Sequence, residues 1–404
     1  MEEIVLLNVV GQDKPGVMAA LTEILGRCNA NILDIGQTDI HHTLALGILF
    51  QVPEGEDSAP IFKYILFKAS ELGLTVRFTP ISEERYTNWV NRQGKGRYIV
   101  TMLGKTISAK QLSFVTKAIA EQNLNIDSIK RLTGRPALHQ EEENLRSCIE
   151  LSVRGDLPDK QKLSEQFLRY SSELGVDISF QRDDIFRRNR RLICFDMDST
   201  LIKTEVIDEL AERAGVGAEV RAITEAAMRG EIDFSESFAR RVSLLKGLDE
   251  SVMREIAENL PIMDGADRLM STLKQCGMKI AILSGGFTYF GNYLKKRFGV
   301  DYVYSNELEI VDGKLTGRYV GDIVDGKRKA ELLRLIAQIE NITLEQVIAV
   351  GDGANDLPML NLAGLGIAFH AKPKVKANAR QSLSTIGLDG ILYFLGFRDI
   401  HIDQ

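Results

Sequence analysis

The sequence predicts an α/β chain: an open parallel-sheet core carrying an inserted helical segment, preceded by two small βαββαβ modules. Three observations predict it. Short apolar runs, Leu192-Ile193-Cys194-Phe195, Ile280-Ala281-Ile282-Leu283 and Val347-Ile348-Ala349-Val350, alternate with helical patterns. Runs of that kind are buried on both faces and belong to parallel sheets. The segment between the first two runs is helical in pattern, as in Val206-Ile207-Asp208-Glu209-Leu210-Ala211-Glu212-Arg213, and reads as an insertion. In the N-terminal half Asn29-Ala30-Asn31-Ile32 recurs as Asn123-Leu124-Asn125-Ile126, and Ser70-Glu71-Leu72-Gly73-Leu74 recurs as Ser172-Glu173-Leu174-Gly175-Val176. Phe78 recurs as Phe180, completing an internal repeat.

Each repeat reads strand, helix, strand, strand, helix, strand. In the first copy the strands are expected near 3–10, 32–38, 43–52 and 74–79, and the helices near 15–27 and 60–72. Pro15 suits the first helical turn, and Asp13 suits its cap. The second copy has Gly104-Lys105-Thr106-Ile107-Ser108 at the matching place, without the Pro and its neighbouring Gly. Two linkers follow from composition. Pro80–Arg97 holds the only Trp, Trp89, amid polar residues with Gly94 and Gly96. Arg182, Arg187, Arg188, Arg190 and Arg191, interleaved with Asp183 and Asp184, read as a solvated hinge. His139-Gln140-Glu141-Glu142-Glu143-Asn144 reads as a polar loop.

At 404 residues, two or three domains are expected, and three fit. Hydrophobic content of 44% and charge of 26% are those of an ordinary soluble protein. The net charge of −6 argues against nucleic acid as principal partner. The opening Met1-Glu2-Glu3 has no basic segment before its apolar run, so no signal peptide is expected. No apolar stretch is long enough for a membrane span. Cys28, Cys148, Cys194 and Cys276 show no Cys-x-x-Cys spacing and read as reduced, mostly buried thiols of a cytoplasmic protein.

The first apolar run ends in Asp196-Met197-Asp198-Ser199-Thr200. Two carboxylates thus leave a strand at its C-terminal end, where open α/β sheets place their ligands. Like charges that close repel, and a divalent metal or a proton-transfer task compensates. Asp196 can attack phosphorus to form an aspartyl-phosphate. Asp198 can protonate the leaving alkoxide and then activate water. The second run breaks into Ser284-Gly285-Gly286 before a helical pattern reaching about Phe298, an anion site if the hydroxyl and bare N–H groups meet at the helix start. Lys329 lies in Asp325-Gly326-Lys327-Arg328-Lys329, where an ammonium can neutralise a phosphoryl group in transit. The third run ends in Gly351-Asp352-Gly353-Ala354-Asn355-Asp356, suited to an oxygen-only Mg²⁺ site. Tyr302–Val311 and Lys314–Val320 flank Asp312-Gly313, a hairpin signal. Taken singly, each motif also has a plain reading as an acidic turn, a Gly-rich turn or a surface charge.

In this order the four elements resemble the haloacid dehalogenase-like phosphohydrolases over roughly residues 190–404. Dehalogenases of that family lack the second acid and ion-pumping ATPases carry a Lys there, so Asp198 points to a phosphatase or phosphomutase. The resemblance implies a Rossmann-like hydrolase core in which Asp196, the backbone carbonyl of Asp198 and Asp352 hold Mg²⁺, supported by Asp356. It implies that Ser284, Gly285 and Lys329 bind the phosphoryl group and that Asn355 faces the substrate. The inserted segment, about 202–278, looks like a helical cap that closes over the site. Asp196, Glu205, Met228, Phe234, Arg241, Ser284, Lys329, Asp352 and Asn355 fall where the phosphoserine phosphatase family has its site residues. That implies hydrolysis of O-phospho-L-serine to L-serine and phosphate, the last step of serine biosynthesis. Glu205 would take the ammonium and Arg241 the carboxylate, with Met228 and Phe234 as cap contacts.

The N-terminal repeat resembles the ACT domain, a ferredoxin-like βαββαβ module that binds amino acids and often dimerises. The first copy carries that family's Asp-x-Pro-Gly turn, with Asp13 and Gly16. L-Serine is therefore expected as a regulatory ligand there, and a homodimer or larger assembly is expected. The second copy departs from the turn and reads as spacer or dimer surface. Domains are expected at 1–82, 96–182 and 188–404. A fragment from about Arg187 onward is expected to hold every catalytic group and a complete core. Two other readings stay open at this level: a phosphatase of other small phosphomonoesters or of phosphoserine in proteins, and an amino-acid-responsive binding protein with a retired enzyme domain.

Overall fold

A computed structural model describes residues 3–55, 57–91, 96–137, 145–157 and 159–402. The loop 139–144 and Gly94 lie outside the described residues. Two units are distinct, Met1–Lys95 and Gly96–Gln404.

The first unit contains β1 (Glu3–Gln12), α1 (Val17–Arg27), β2 (Asn31–Ile40), β3 (Thr43–Val52), α2 (Ala59–Leu72) and β4 (Thr75–Ile81), followed by α3 (Glu83–Asn91). Its antiparallel sheet has the order β2-β3-β1-β4. Val5, Leu7 and Val9 alternate along β1 and pack on Leu21, Leu25, Ile61 and Ile65 of the two helices. The start of α1 differs from the expectation. Pro15 precedes the helix, and the cap position is Gly16, left-handed at φ 92, with no side-chain cap from Asp13. Glycine adopts that conformation without steric cost, and it turns the chain into the helix where a carboxylate cap was expected.

The second unit begins with the same topology: β5 (Arg97–Gly104), α4 (Ala109–Glu121), β6 (Asn125–Arg131), β7 (Ser147–Arg154), α5 (Lys160–Leu174) and β8 (Asp177–Arg182), in the order β6-β7-β5-β8. The repeated sequence words have a backbone cause. Asn29 and Asn123 are both left-handed after their first helices, at φ 47 and 56. Gly73 and Gly175 are left-handed C-caps of the second helices. Where the second copy lacks the Pro-Gly turn, Ser108 caps α4 through a reciprocal capping box with Gln111.

The remaining chain forms a seven-stranded sheet. Its elements are β9 (Leu192–Phe195), α6 (Val206–Ala214), α7 (Gly217–Met228), α8 (Phe234–Ser243), α9 (Ser251–Glu258), α10 (Ala266–Gln275), β10 (Lys279–Phe287), α11 (Thr288–Phe298), β11 (Tyr302–Val311) and β12 (Lys314–Val320). Then come α12 (Gly326–Ile339), β13 (Val347–Gly351), α13 (Leu357–Leu362), β14 (Leu365–Phe369), α14 (Pro373–Lys376), β15 (Gln381–Leu383), α15 (Gly390–Phe394) and α16 (Asp399–Ile402). The order is β12-β11-β10-β9-β13-β14-β15. Parallel partners flank β9 on both sides, Ile193 facing Ile280 of β10 and Ile348 of β13. The chain builds outward from β9 first through β10 and then through β13, so the crevice at the C-terminal end of β9 is a topological switch point. Asp312 and Gly313 are both left-handed, at φ 51 and 75, and close the β11–β12 hairpin. Helices α6–α9 make the insertion, while α10 packs on β10 and α11.

The second βαββαβ module is built into this unit. The β5–β8 sheet has α4 and α5 on one face. Leu103, Leu132 and Cys148 share one buried core with Leu392, Tyr393 and Phe394 of the C-terminal segment. Phe180 and Gln381 exchange two hydrogen bonds, from Phe180 N to Gln381 Oε1 at 3.0 Å and from Gln381 Nε2 to Phe180 O at 2.8 Å. Asp177 accepts from the backbone N–H groups of Ser384 and Thr385. The expected solvated hinge at 182–191 holds for Arg182, Arg188 and Arg191, which are exposed, but not for its other two arginines. Arg187 is 3% exposed and pairs with Glu150 of β7, and Arg190 donates to Glu345 O. Guanidinium groups with several fixed donors hold such a junction where lysines would remain solvated.

Candidate active site

Asp196 follows β9, and its N–H donates to Val350 O of β13 at 2.9 Å. That bond fixes the first residue beyond the strand in the crevice. Its Oδ1 accepts from Met197 N at 2.8 Å and lies 2.8 Å from Lys329 Nζ. Lys329 sits in the first turn of α12, not ahead of it, because Asp325 caps that helix through Arg328 N. Its side chain is fully buried, and its ammonium also reaches Asp356 Oδ1 at 2.7 Å. Burial alone would lower the Lys329 pKa, but Asp196 and Asp356 outweigh it and push it up. Asp356 is itself held by Gly353 N at 2.9 Å.

Asp198 is turned the other way. Its Oδ1 accepts from Val206 N, at the start of the cap, at 3.0 Å. Burial, then Glu205 and Asp196, drive its pKa well above the usual carboxylate range. An acid pushed up by burial, two residues from a second acid paired to an ammonium, is the asymmetry that acid–base catalysis needs. Gly286 is required for it: a Cβ there would lie 2.3 Å from Asp198 Oδ2, 2.7 Å from Met197 Cε and 3.2 Å from Ser284 Oγ. Ser284 is fully buried, and Gly286 N donates to its Oγ at 2.9 Å. The Ser284-Gly285-Gly286 segment lies at the end of β10, and α11 starts only at Thr288. The segment expected at a helix start therefore lies at a strand end, where strand pairing shifts register between Leu283 and Phe287.

Carboxylate oxygens of Asp196, Asp352 and Asp356 lie within 4.8 Å of one another. Burial, then Asp196 and Asp356, push the Asp352 carboxyl up to about 8. Burial, then Asp196, push Asp356 up to about 6, against Lys329 and the Gly353 N–H. Asp196, Asp198, Asp352, Asp356 and Glu205 together outnumber Lys329 and Arg241. An all-oxygen, acid-rich donor set of this kind fits a hard divalent cation.

The cap supplies the rest. Glu205 stands at the entry to α6 and accepts from Ser199 Oγ at 2.8 Å. Arg241, in α8, donates from Nε to Ser237 O at 3.3 Å. Burial lowers the Arg241 pKa, while Glu205, Asp208 and Asp198 oppose that shift, so these carboxylates face it. Phe234, the first residue of α8, covers Gly285: a Cβ there would lie 3.0 Å from its Cζ. Asn355 lies beside the acidic cluster, its Oδ1 closing on Gly353 and its carbonyl on Gly326. Met228 ends α7, and its side chain lies outside the described ones. Asp13 and Gly16 belong to the first unit, where Asp13 N donates to His42 O at 2.9 Å. A groove of about 860 Å³ between α5 and the β14–β15 edge holds none of these residues.

Three residues here carry no signal that the sequence reading used. Thr200 Oγ1 donates to Asp352 Oδ1 at 3.3 Å. Ser199 is left-handed at φ 55 and holds Glu205. Both sit in the stretch after Asp198, where adjacency to the paired acids was a usable hint. Asn306 has no such neighbour in sequence.

Three family models match the chain: ACT domain at residues 3–79, ACT domain at 97–181 and haloacid dehalogenase-like hydrolase at 190–364. The phosphoserine phosphatase SerB2 of Mycobacterium tuberculosis is 40% identical over 393 residues, covering 97% of this chain and 93% of the relative. The phosphoserine phosphatase of Streptomyces coelicolor is 38% identical over 396 residues, covering 97% and 92%. Among solved structures, a HAD family hydrolase of Salmonella enterica serovar Typhi superposes with a TM-score of 0.62 at 30% identity, over 74% of this chain and 98% of that one. A probable phosphoserine phosphatase of Vibrio cholerae gives 0.58 at 34% identity, over 78% and 94%.

Proposed function

The chain belongs to the phosphoserine phosphatases of the haloacid dehalogenase-like hydrolases, and on that footing we propose that it hydrolyses O-phospho-L-serine to L-serine and phosphate, as the last step of L-serine biosynthesis. The observation that carries this reading is the placement of the two acids: Asp196 Oδ1 lies 2.8 Å from Lys329 Nζ, while Asp198 is buried beside Glu205 under the cap, which drives its pKa up. Asp196 attacks phosphorus and becomes an aspartyl-phosphate while Asp198 gives its proton to the departing serine alkoxide. Asp198, now ionised, takes a proton from the incoming water, which releases phosphate and regenerates Asp196. Ser284, the Gly285 backbone and Lys329 bind the phosphoryl oxygens, and Asn355 faces the substrate. Glu205 takes the substrate ammonium and Arg241 its carboxylate. Phe234 and Met228 close over it and exclude water.

Asp196, the Asp198 carbonyl and Asp352 would hold Mg²⁺, with Asp356 in support, and the ion would neutralise charge on the phosphoryl group. Free L-serine binds the first ACT domain near Asp13 and Gly16, and the ACT domains support assembly into a homodimer or larger. We divide the chain at 1–82, 96–182 and 188–404. Four cysteines free of disulfides support a cytoplasmic location. No helix among the described residues is long and apolar enough to cross a membrane.

Phosphate release from phosphoserine, other small phosphomonoesters and a phosphoserine peptide tests the substrate. Free phosphoserine should give the highest kcat/KM. Preference for the peptide would overturn the reading, which Phe234 packed on Gly285 argues against.

A further inference from the structure

Asn306 lies in β11, outside the four motifs that carry chemistry, and is 2% exposed. Its amide is used at both ends. Nδ2 donates to Gly285 O at 2.8 Å, and Oδ1 accepts from Val324 N at 2.8 Å. The amide orientation is forced, because a carbonyl only accepts and a backbone N–H only donates. One contact is to the residue after Ser284. The other is to the residue before Asp325, which caps the helix that carries Lys329. The β10–β11 pairing is irregular between Leu283 and Phe287, and there a side chain takes up the Gly285 carbonyl. The strand that holds Asn306 continues into the β11–β12 hairpin, whose far end is bonded to the cap. Gly247 N donates to Leu315 O at 2.8 Å, Leu315 N to Leu248 O at 2.9 Å and Glu250 N to Gly313 O at 2.9 Å.

We infer that Asn306 is a positioning residue for phosphoryl binding, an amide clamp that aligns the Ser284 segment with the Lys329 helix and ties both to the cap through the hairpin. The inference rests on the phosphoryl-transfer reading of the site. Both ends of its amide are used on backbone groups, so it acts through the groups that meet the phosphoryl oxygens. Those groups serve every phosphomonoester alike, which separates Asn306 from Glu205 and Arg241.

The test uses the full chain with Asn306→Ala and Asn306→Asp. For Asn306→Ala, kcat/KM should fall together on phosphoserine and p-nitrophenyl phosphate, by roughly 10- to 100-fold, the scale of an ångström misplacement. Inhibition by inorganic phosphate should weaken in parallel. In a Ser284→Ala background the further loss should shrink to less than about threefold, since coupled residues are non-additive. Asn306→Asp keeps the shape if the alanine variant fails to fold. Its neutral carboxyl offers the same donor and acceptor as the amide, so its activity relative to the unsubstituted protein should recover as pH drops from about 8 to about 5.5. Either of two results would overturn the inference. One is phosphate inhibition and turnover within twofold of the unsubstituted protein. The other is a loss that is additive with Ser284→Ala, independent of pH and accounted for by a lower melting temperature. Should the unsubstituted protein turn over p-nitrophenyl phosphate but not phosphoserine, the substrate assignment fails while the clamp is still read on the aryl ester.

Discussion

Asp196 and Asp198 are chemically alike and two residues apart, yet their surroundings separate them. One faces an ammonium, and the other faces Glu205, Asp196 and a dry wall. The same logic predicts specificity. Arg241→Ala and Glu205→Gln should each lower kcat/KM for phosphoserine by one to two decades, the equivalent of about 1.5–3 kcal/mol for a charge-assisted contact. p-Nitrophenyl phosphate has neither ammonium nor carboxylate to lose and should be nearly unaffected; equal losses on both esters would make these residues mere shapers of the cap. A second prediction concerns protons. Asp352 and Asp356 are raised to about 8 and about 6 in the metal-free protein. A raised carboxyl favours the folded state while protonated and loses that contribution as pH climbs through its folded value. Metal-free protein should therefore melt at a lower temperature at pH near 8 than near 6. Divalent-ion affinity should rise over the same window, with proton release visible by calorimetry in two buffers. A pH-independent affinity would contradict the assignment of these acids as ligands.

At the scale of elements, the decisive feature is the docking of β8 against β15 and of β5 and β7 against the C-terminal segment. A fragment from Arg187 onward keeps every candidate catalytic group, but it uncovers Phe394 and leaves Gln381, Ser384 and Thr385 without Phe180 and Asp177. Apolar surface newly exposed to water weakens a fold whose whole margin is only about 5–15 kcal/mol. The sequence reading expects a fragment from Arg187 to turn over phosphoserine if it stays soluble, and the docked face bears on that condition. Residues 187–404 should be insoluble or melt far below the full chain, whereas residues 96–404 should stay soluble and turn over phosphoserine within a few-fold of the full chain. Soluble yield and specific activity of the two fragments decide it.

At the scale of the whole molecule, the boundary near residue 95 separates a unit with its own core from the catalytic unit. Ligand control requires the effector to favour one state over another. L-Serine should change activity or assembly size in the full chain, and Asp13→Ala should weaken that response without altering basal turnover. The 96–404 fragment separates sensing from product inhibition at the active site, which it retains. Identical responses from fragment and full chain would assign the whole effect to product inhibition.

The sequence by itself determined whatever is written in local physics. The apolar runs before Asp196, Ser284 and Asp352 declared buried parallel strands, and the repeated Asn and Gly words declared the internal repeat. The paired acids pointed to the chemistry, because two carboxylates leave one strand together. Tertiary structure alone decided what depends on residues distant in the chain. Nothing near Asn306 in sequence shows that its amide joins Gly285 to Val324. Composition made Arg187 look solvated, and only its meeting with Glu150 buries it. Periodicity and turn chemistry are read over a few residues, whereas a pKa, a clamp or a docked face is set by whichever groups folding brings within a few ångströms.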